Sequence, residues 1–243
     1  MMYKRIVGLV LINTGIVCRT RNFQPDYLYT DEFIDSKYFD EMICIDVSQE
    51  RSKKSHQLFL LGIEKIMNHS QLPLAIGGGI KSLEDIRKYR EFGADRYVIN
   101  QTENNNDAFT ADAIKEFGQS TIISSINHWG EFTYSSGVIS KKPLQQRVSE
   151  ILNIMGSELL LNSVEKDGTL LGLDNANIEN IASFFDTPLV VSGGAGRWSH
   201  VHDTLQIKNV EAVCTSNIYH LTTKTISTWR NEVREKGGNV RTV

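Results

Sequence analysis

Short apolar, β-favouring runs recur along the whole chain, and each is followed by a polar stretch with helical spacing. The runs cover residues 5–11, 42–46, 74–76, 96–99, 121–126, 159–161, 189–191 and 212–215, eight in all. Between them, residues 55–67, 82–92, 108–117, 144–155, 175–182 and 199–206 carry apolar positions at the helical period. Strand–helix alternation dictates a parallel sheet, because a helix returns the chain to the edge from which the next parallel strand starts. Eight such units fit a closed (β/α)8 barrel, and the 243 residues match the ~250 that this architecture occupies as one domain. The expected fold is therefore α/β, a single TIM-barrel domain over residues 1–243.

An internal repeat sharpens the expectation. Gly77-Gly78-Gly79-Ile80 is echoed by Gly193-Gly194-Ala195-Gly196 at an offset of 193 − 77 = 116, and each cluster follows a proline and an apolar run. The same offset carries Leu11 onto Asn127, at the ends of the first and fifth strands. Two half-barrels of four strands explain the pattern. Local signals agree with the helices. Ser82 is placed as an N-cap before Glu84 and Asp85, which the helix dipole favours in a first turn. Gly93 and Gly118 stand just past two helix ends, where a residue of positive φ is expected.

Composition removes several function classes. With 26 basic and 29 acidic residues the net charge is −3, so no basic excess exists to neutralise a nucleic acid backbone. The apolar stretch at residues 6–12 follows Lys4 and Arg5 as in a signal peptide, but it has no small-residue cleavage site and contains Gly8. It is far short of the ~20 residues that span a bilayer and reads as a buried strand, so no membrane partner is expected. Cys18, Cys44 and Cys214 are odd in number and widely spaced, which writes neither a disulfide framework nor a zinc site. His200 and His202, two apart on a helix, point away from each other. No metal and no cofactor are expected, and the chain reads as a soluble protein of the reducing cytoplasm.

The glycine clusters are the strongest chemical signal. Glycine at the carboxyl end of a strand lets backbone amides approach an anion, and a following helix start adds partial positive charge. Gly78 and Gly79 in the first half are partnered by Asn100 and Gln101, and Gly193 and Gly194 in the second by Ser216 and Asn217. Gly168 and Thr169, after Asp167, form a third contributor. Two such cradles on opposite sides of one barrel mouth suit a ligand with a phosphate at each end. Cys18 has no histidine near it in sequence to make it a nucleophile, and Trp198 is placed to pack or to edge the last cradle.

These landmarks, with Lys4-Arg5-Ile6, Gly93-Ala94-Asp95 and Gly238-Asn239-Val240-Arg241, resemble the cyclase subunit of the imidazole glycerol phosphate synthase family along the whole chain. The resemblance implies a (β/α)8 barrel that receives ammonia from a glutaminase docked at its bottom. It implies that the ammonia is used at the top, on a bisphosphorylated ribonucleotide. It also implies a ring of four charges at the ammonia inlet, here Arg5, Glu41, Arg96 and Glu158, and a glutaminase-docking acid, here Asp95. Four interior charges of balanced sign are costly to bury unless paired, so these four are expected to make one connected ring across the bottom of the barrel.

The same resemblance places two proton-transferring carboxylates at the ends of the first and fifth strands, where this chain has Leu11 and Asn127. A further acid of the first loop is replaced by Thr14, and the lysine position holds Arg19. Leucine has no proton to move, and asparagine hydrogen-bonds without titrating. Asp46 and Asp167 are the carboxylates left as catalytic candidates beside Asn127.

Leu161-Asn162-Ser163, Lys166-Asp167-Gly168 and Asp174-Asn175-Ala176 resemble a branch of the family tied to acetamidino modification of surface polysaccharide sugars, although Asn127 departs from that branch as well. The function expected is ammonia-dependent amidine formation on a phosphorylated or nucleotide-linked sugar, in partnership with a glutaminase. A genuine histidine-pathway cyclase and a non-catalytic ammonia-channelling barrel that activates the glutaminase are the alternatives.

Overall fold

A computed structural model describes residues 3–28, 39–50, 52–68, 71–103, 106–216, 218 and 226–241. In chain order its strands are β1 (Arg5–Asn13), the hairpin β2 (Ile16–Arg21) and β3 (Gln24–Leu28), β4 (Glu41–Asp46), β5 (Leu74–Gly77) and β6 (Arg96–Asn100). Then follow β7 (Ile122–Trp129), the hairpin β8 (Phe132–Ser135) and β9 (Val138–Pro143), β10 (Glu158–Ser163), β11 (Leu189–Ser192) and β12 (Val210–Thr215). Strands β1, β4, β5, β6, β7, β10, β11 and β12 pair in parallel, and β12 returns to β1 to close the barrel.

The crossovers carry α1 (Lys53–Met67), α2 (Leu83–Glu91), α3 (Asp107–Phe117), α4 (Leu144–Ile151), α5 (Asn175–Phe184) and α6 (Trp198–Leu205), and α7 (Ile226–Glu235) follows near the end. All eight expected barrel strands are present. The expected helix over residues 144–155 ends at Ile151, and α7 was not foreseen. Ser82 caps α2 through a capping box with Asp85. Gly93 and Gly118 both take positive φ, 102° and 91°.

Alternation along each strand separates two cores. Val7, Ile43, Ala75, Val98, Ile123, Leu160, Val190 and Ala212 point inward and fill the barrel. Their outward neighbours, Ile6, Met42, Ile76, Ile99, Leu161 and Val191 among them, bury the inner faces of the helices. No described helix is long and apolar enough to cross a membrane.

The half-barrel repeat is present and richer than the glycines suggest. Each half runs as a barrel strand, an antiparallel hairpin built directly onto it, and three more barrel strands. The offset is 116 between Leu11 and Asn127, but it is 115 between Leu74 and Leu189, the first residues of β5 and β11. Gly78 therefore corresponds to Gly193, one residue away from the alignment that the glycine runs suggest.

The bottom of the barrel is tied to the end of the chain. Asp40 accepts from the Ile6 backbone N–H at 2.8 Å and pairs with Arg230 of α7 at 2.5 Å and with Arg241 at 3.0 Å. The side chain of Arg230 is 2% exposed and that of Asp40 7%, so the pair is held out of water. Breaking a buried pair from one side strands the other charge, at a cost of about 3–5 kcal/mol. Arg230→Met is therefore expected to lower unfolding free energy by roughly 3 kcal/mol, Arg241 retaining part of the compensation. Urea denaturation followed by circular dichroism would read the change.

Candidate active site

Because β-strands alternate, the same inward-facing positions that build the barrel core also build its two ends. At the amino-terminal end these positions are Arg5, Glu41, Arg96 and Glu158, each the first residue of its strand. Arg5 pairs with Glu41 at 3.0 Å and with Glu158, while Arg96 pairs with Glu158 at 2.6 Å and with Glu41 at 3.6 Å. The four form one closed ring of alternating sign. Burial alone would lower the Arg5 pKa, but Glu41 and Glu158 outweigh it and hold the guanidinium above its ordinary range. Burial raises the Glu41 carboxyl against the pull of both arginines. Glu41 Oε1 is buried with no hydrogen-bond partner among the described residues, so its desolvation is only partly offset.

At the carboxyl-terminal end lies a cavity of about 770 Å3. Leu11, Asn100, Asn127 and Asn162 reach it from β1, β6, β7 and β10, and Gly78 and Gly79 form part of its wall. Asp46 also lines it, with its Oδ1 accepting from the Ser48 N–H at 2.9 Å. A smaller cavity of about 40 Å3 is lined by Gly168, Gly193, Gly194 and Ser216, with Arg19 at its edge. Leu9, Leu11, Thr20 and Asp167 belong to both. The two glycine clusters thus stand on either side of one mouth. Gly78 and Gly193 need their missing side chains: both have φ near 100°, and a Cβ would fall 2.3 Å from the Asp46 carbonyl oxygen and 2.4 Å from that of Ser163.

Two of the expected anion ligands are not brought to these cavities. Gln101 is fully buried, and it lines neither cavity. Its side chain follows the outward parity next to inward-facing Asn100. The Thr169 hydroxyl closes its own turn by donating to the Lys166 carbonyl at 2.7 Å. Asn217 lies outside the described residues. Asp95 sits at the bottom rim, where its Oδ2 accepts from the Leu74 N–H at 2.8 Å.

Asp167 clamps the first hairpin over the mouth. It accepts from the Thr20 hydroxyl at 2.6 Å and from the Phe23 N–H at 3.0 Å, while Asn22 donates through its side chain to the Val164 carbonyl at 2.9 Å. Asn22 and Phe23 both have positive φ, 51° and 64°, the geometry of a tight hairpin turn that is costly for a phenylalanine. The clamp offsets that strain. Its price in electrostatics is visible too: burial raises the Asp167 carboxyl above its ordinary value, although the two donors and Arg19 pull it down. The second hairpin leans in from the other side, where Tyr134 meets Phe23 edge-to-face at 6.4 Å between centroids.

Residues 8–224 match the family described as "Histidine biosynthesis protein". The chain belongs to that family. It is 29% identical over 258 residues to "Imidazole glycerol phosphate synthase subunit HisF" of Staphylococcus carnosus, which covers 99% of each chain. Proteins of the same name from Exiguobacterium sibiricum and Thermococcus onnurineus are each 27% identical over 252 residues, covering 99% of this chain.

Within this barrel, sequence reasoning missed two contributors. Arg147 is fully buried and gathers the loop after β6: it donates to the Gln101 and Glu103 carbonyls at 2.7 and 3.1 Å and pairs with Asp107. An arginine in an amphipathic helix gives no sign of facing inward. Asn162 was noted only as part of a run, yet it pairs across the register with Asn127. The remaining chemical candidates are occupied or inert. The Cys18 thiol is pushed up to about 11 by burial, Trp198 stacks on Trp229 at 5.0 Å, and His200 and His202 engage different partners.

A carboxyl whose pKa is raised by folding opposes folding once it ionises. Its favourable contribution is complete below the unfolded value of about 4 and is lost as pH rises through the folded value. Asp167→Asn, which cannot ionise, is therefore expected to gain stability relative to the parent chain as pH rises from about 4 to 7. A constant difference in thermal midpoint across that range would contradict the assignment.

Proposed function

We propose that this chain is the ammonia-using barrel subunit of a two-protein glutamine amidotransferase. On this reading a glutaminase docks at the bottom of the barrel, and ammonia passes the charged ring and the apolar bore to a phosphorylated substrate in the upper cavity. The observation that carries it is the placement of the Arg5–Glu41–Arg96–Glu158 ring at the end of the barrel opposite the cavity. Side chains between them, from Val7 and Val98 to Leu160, are apolar. Ammonia is neutral and would pass between such packed apolar side chains at little desolvation cost, whereas ammonium and bulk water are disfavoured there. The names of the relatives, each a "subunit" of imidazole glycerol phosphate synthase, support a partner protein.

The two cradles, Gly78–Gly79 with Asn100 and Gly193–Gly194 with Gly168 and Ser216, would each hold a phosphate. Asp95 at the bottom rim is assigned to the docking face. The substrate is assigned to phosphorylated or nucleotide-linked sugars, and the product to an amidine-bearing sugar of surface polysaccharide. The relatives' names favour imidazole formation as a second reading. Against it stand Leu11 and Asn127, which face the cavity and leave no titrating pair on the axis. Each lost proton-transfer role forfeits ~10²–10⁴ in rate.

Two experiments divide these readings. In a complex with a glutaminase, Arg5→Ala should leave activity driven by added ammonium salts intact and reduce glutamine-driven activity several-fold. Equal losses with both nitrogen sources would sink the inlet assignment. Leu11→Asp combined with Asn127→Asp should raise ammonia-dependent turnover of the bisphosphorylated ribonucleotide by at least ~10²-fold. A parent chain that already turns over this precursor at a rate the double variant does not exceed would establish the histidine-pathway reading instead.

A further inference from the structure

We infer that the Asn127–Asn162 pair is a recognition site for an uncharged amide edge on the substrate, a carboxamide, acetamido or lactam group. The two residues are Cα partners in the β7–β10 register and both face the upper cavity. Asn162 Nδ2 donates to Asn127 Oδ1 at 3.4 Å, which leaves Asn127 Nδ2 as a donor and Asn162 Oδ1 as an acceptor with no protein partner among the described residues. Turning both amides over exchanges these roles and still leaves one donor beside one acceptor, so the offer to a ligand does not depend on their orientation. The backbone of Asn127 is fixed as well, its N–H donating to the Thr102 hydroxyl at 2.8 Å.

A ligand that satisfies both groups must present an acceptor beside a donor, as an amide does. A carboxylate presents acceptors alone and would set one of them against Asn162 Oδ1. The neighbouring axial side chains Leu11, Ile45 and Leu160 are apolar and Ser125 is uncharged, so they supply no cation to offset a ligand charge. A site built from paired polar groups rejects an analogue that leaves one of them unsatisfied. The assignment narrows the substrate of the reading above and rests on it for the phosphate that anchors the rest of the ligand.

The test compares nicotinamide mononucleotide with nicotinic acid mononucleotide, which share a phosphate and differ in carboxamide against carboxylate, with inorganic phosphate as a third ligand. Calorimetry on the full-length chain should show the carboxamide compound binding at least tenfold tighter. Asn127→Leu and Asn162→Leu should each reduce that ratio to within about threefold while leaving the affinity for inorganic phosphate unchanged. Should either leucine variant fold poorly, the parent chain still decides. The Asn127 side-chain NH2 resonance should shift at saturation with the carboxamide compound and stay in place with phosphate.

Equal affinities, a preference that survives both substitutions, an unmoved resonance, or binding of phosphate but of neither mononucleotide would each overturn the amide site. An amide preference without any phosphate binding would uphold it and count against the phosphate cradles.

Discussion

Four charges at the bottom of the barrel make the most demanding contact in the molecule. Arg5, Glu41, Arg96 and Glu158 begin four of the eight barrel strands, and each arginine touches both carboxylates. Held inside a barrel, any one of them alone would cost several kcal/mol of desolvation, so the arrangement is stable only when all four meet. That condition fixes the relative heights of β1, β4, β6 and β10. A slip of one residue would turn the ring outward and put the helix-facing core residues on the axis. The apolar layer of Val7, Ile43, Ala75 and Val98 above the ring and the polar mouth above that layer follow from the same register.

Most of this frame was legible because strand parity and glycine placement are local signals. Eight apolar runs, one residue pattern per strand, gave the barrel, whereas the four-charge ring was expected from the family resemblance and from the cost of burying unpaired charges. The hairpins β2–β3 and β8–β9 were not legible. Their outer strands β3 and β9 are short, carry Pro25 or the Lys141-Lys142-Pro143 run, and bury little, so neither periodicity nor composition marks them. Their stability comes from the barrel strands they extend and, for β2–β3, from Asp167, a contact across more than 140 residues of sequence. Gln101 and Arg147 illustrate a different limit. Both are fully buried, where a polar residue is rare, and the assembled loop after β6 shows why the arginine is needed.

The two halves of the barrel share a plan but not a chemistry. On one side the mouth is bounded by Gly78, Gly79, Asp46 and Lys81, and on the other by Gly193, Gly194, Asp167 and Arg19. Each side brings a glycine turn, a carboxylate and a cation, with Glu103 as a further acid on the first side and Arg19 paired with Asp26 on the second. The carboxylates differ in what holds them. Asp167 reaches across to the hairpin, whereas Asp46 accepts from the Ser48 N–H two residues on. Asp167 thus fastens one loop to another, and its two hydrogen bonds hold the first hairpin in place over the mouth.

The absence of an ionisable pair on the axis changes what the mouth can contribute to a reaction. Asn100, Asn127 and Asn162 line the cavity with groups that hydrogen-bond but neither give nor take a proton at ordinary pH. Orientation alone can account for a large share of a barrier when two reactants are held in a near-attack geometry. A barrel that aims neutral ammonia along its axis at a fixed group would use that contribution fully, because ammonia arrives as its own nucleophile and needs no general base to ionise it. The proton it sheds after attack must then leave through the leaving group, through water or through another protein. On the proposed reading, leucine and asparagine at the ends of β1 and β7 would move the burden of proton transfer off this chain. It keeps what a β/α barrel supplies best, a rigid ring of ligand-facing strand ends above a packed apolar interior.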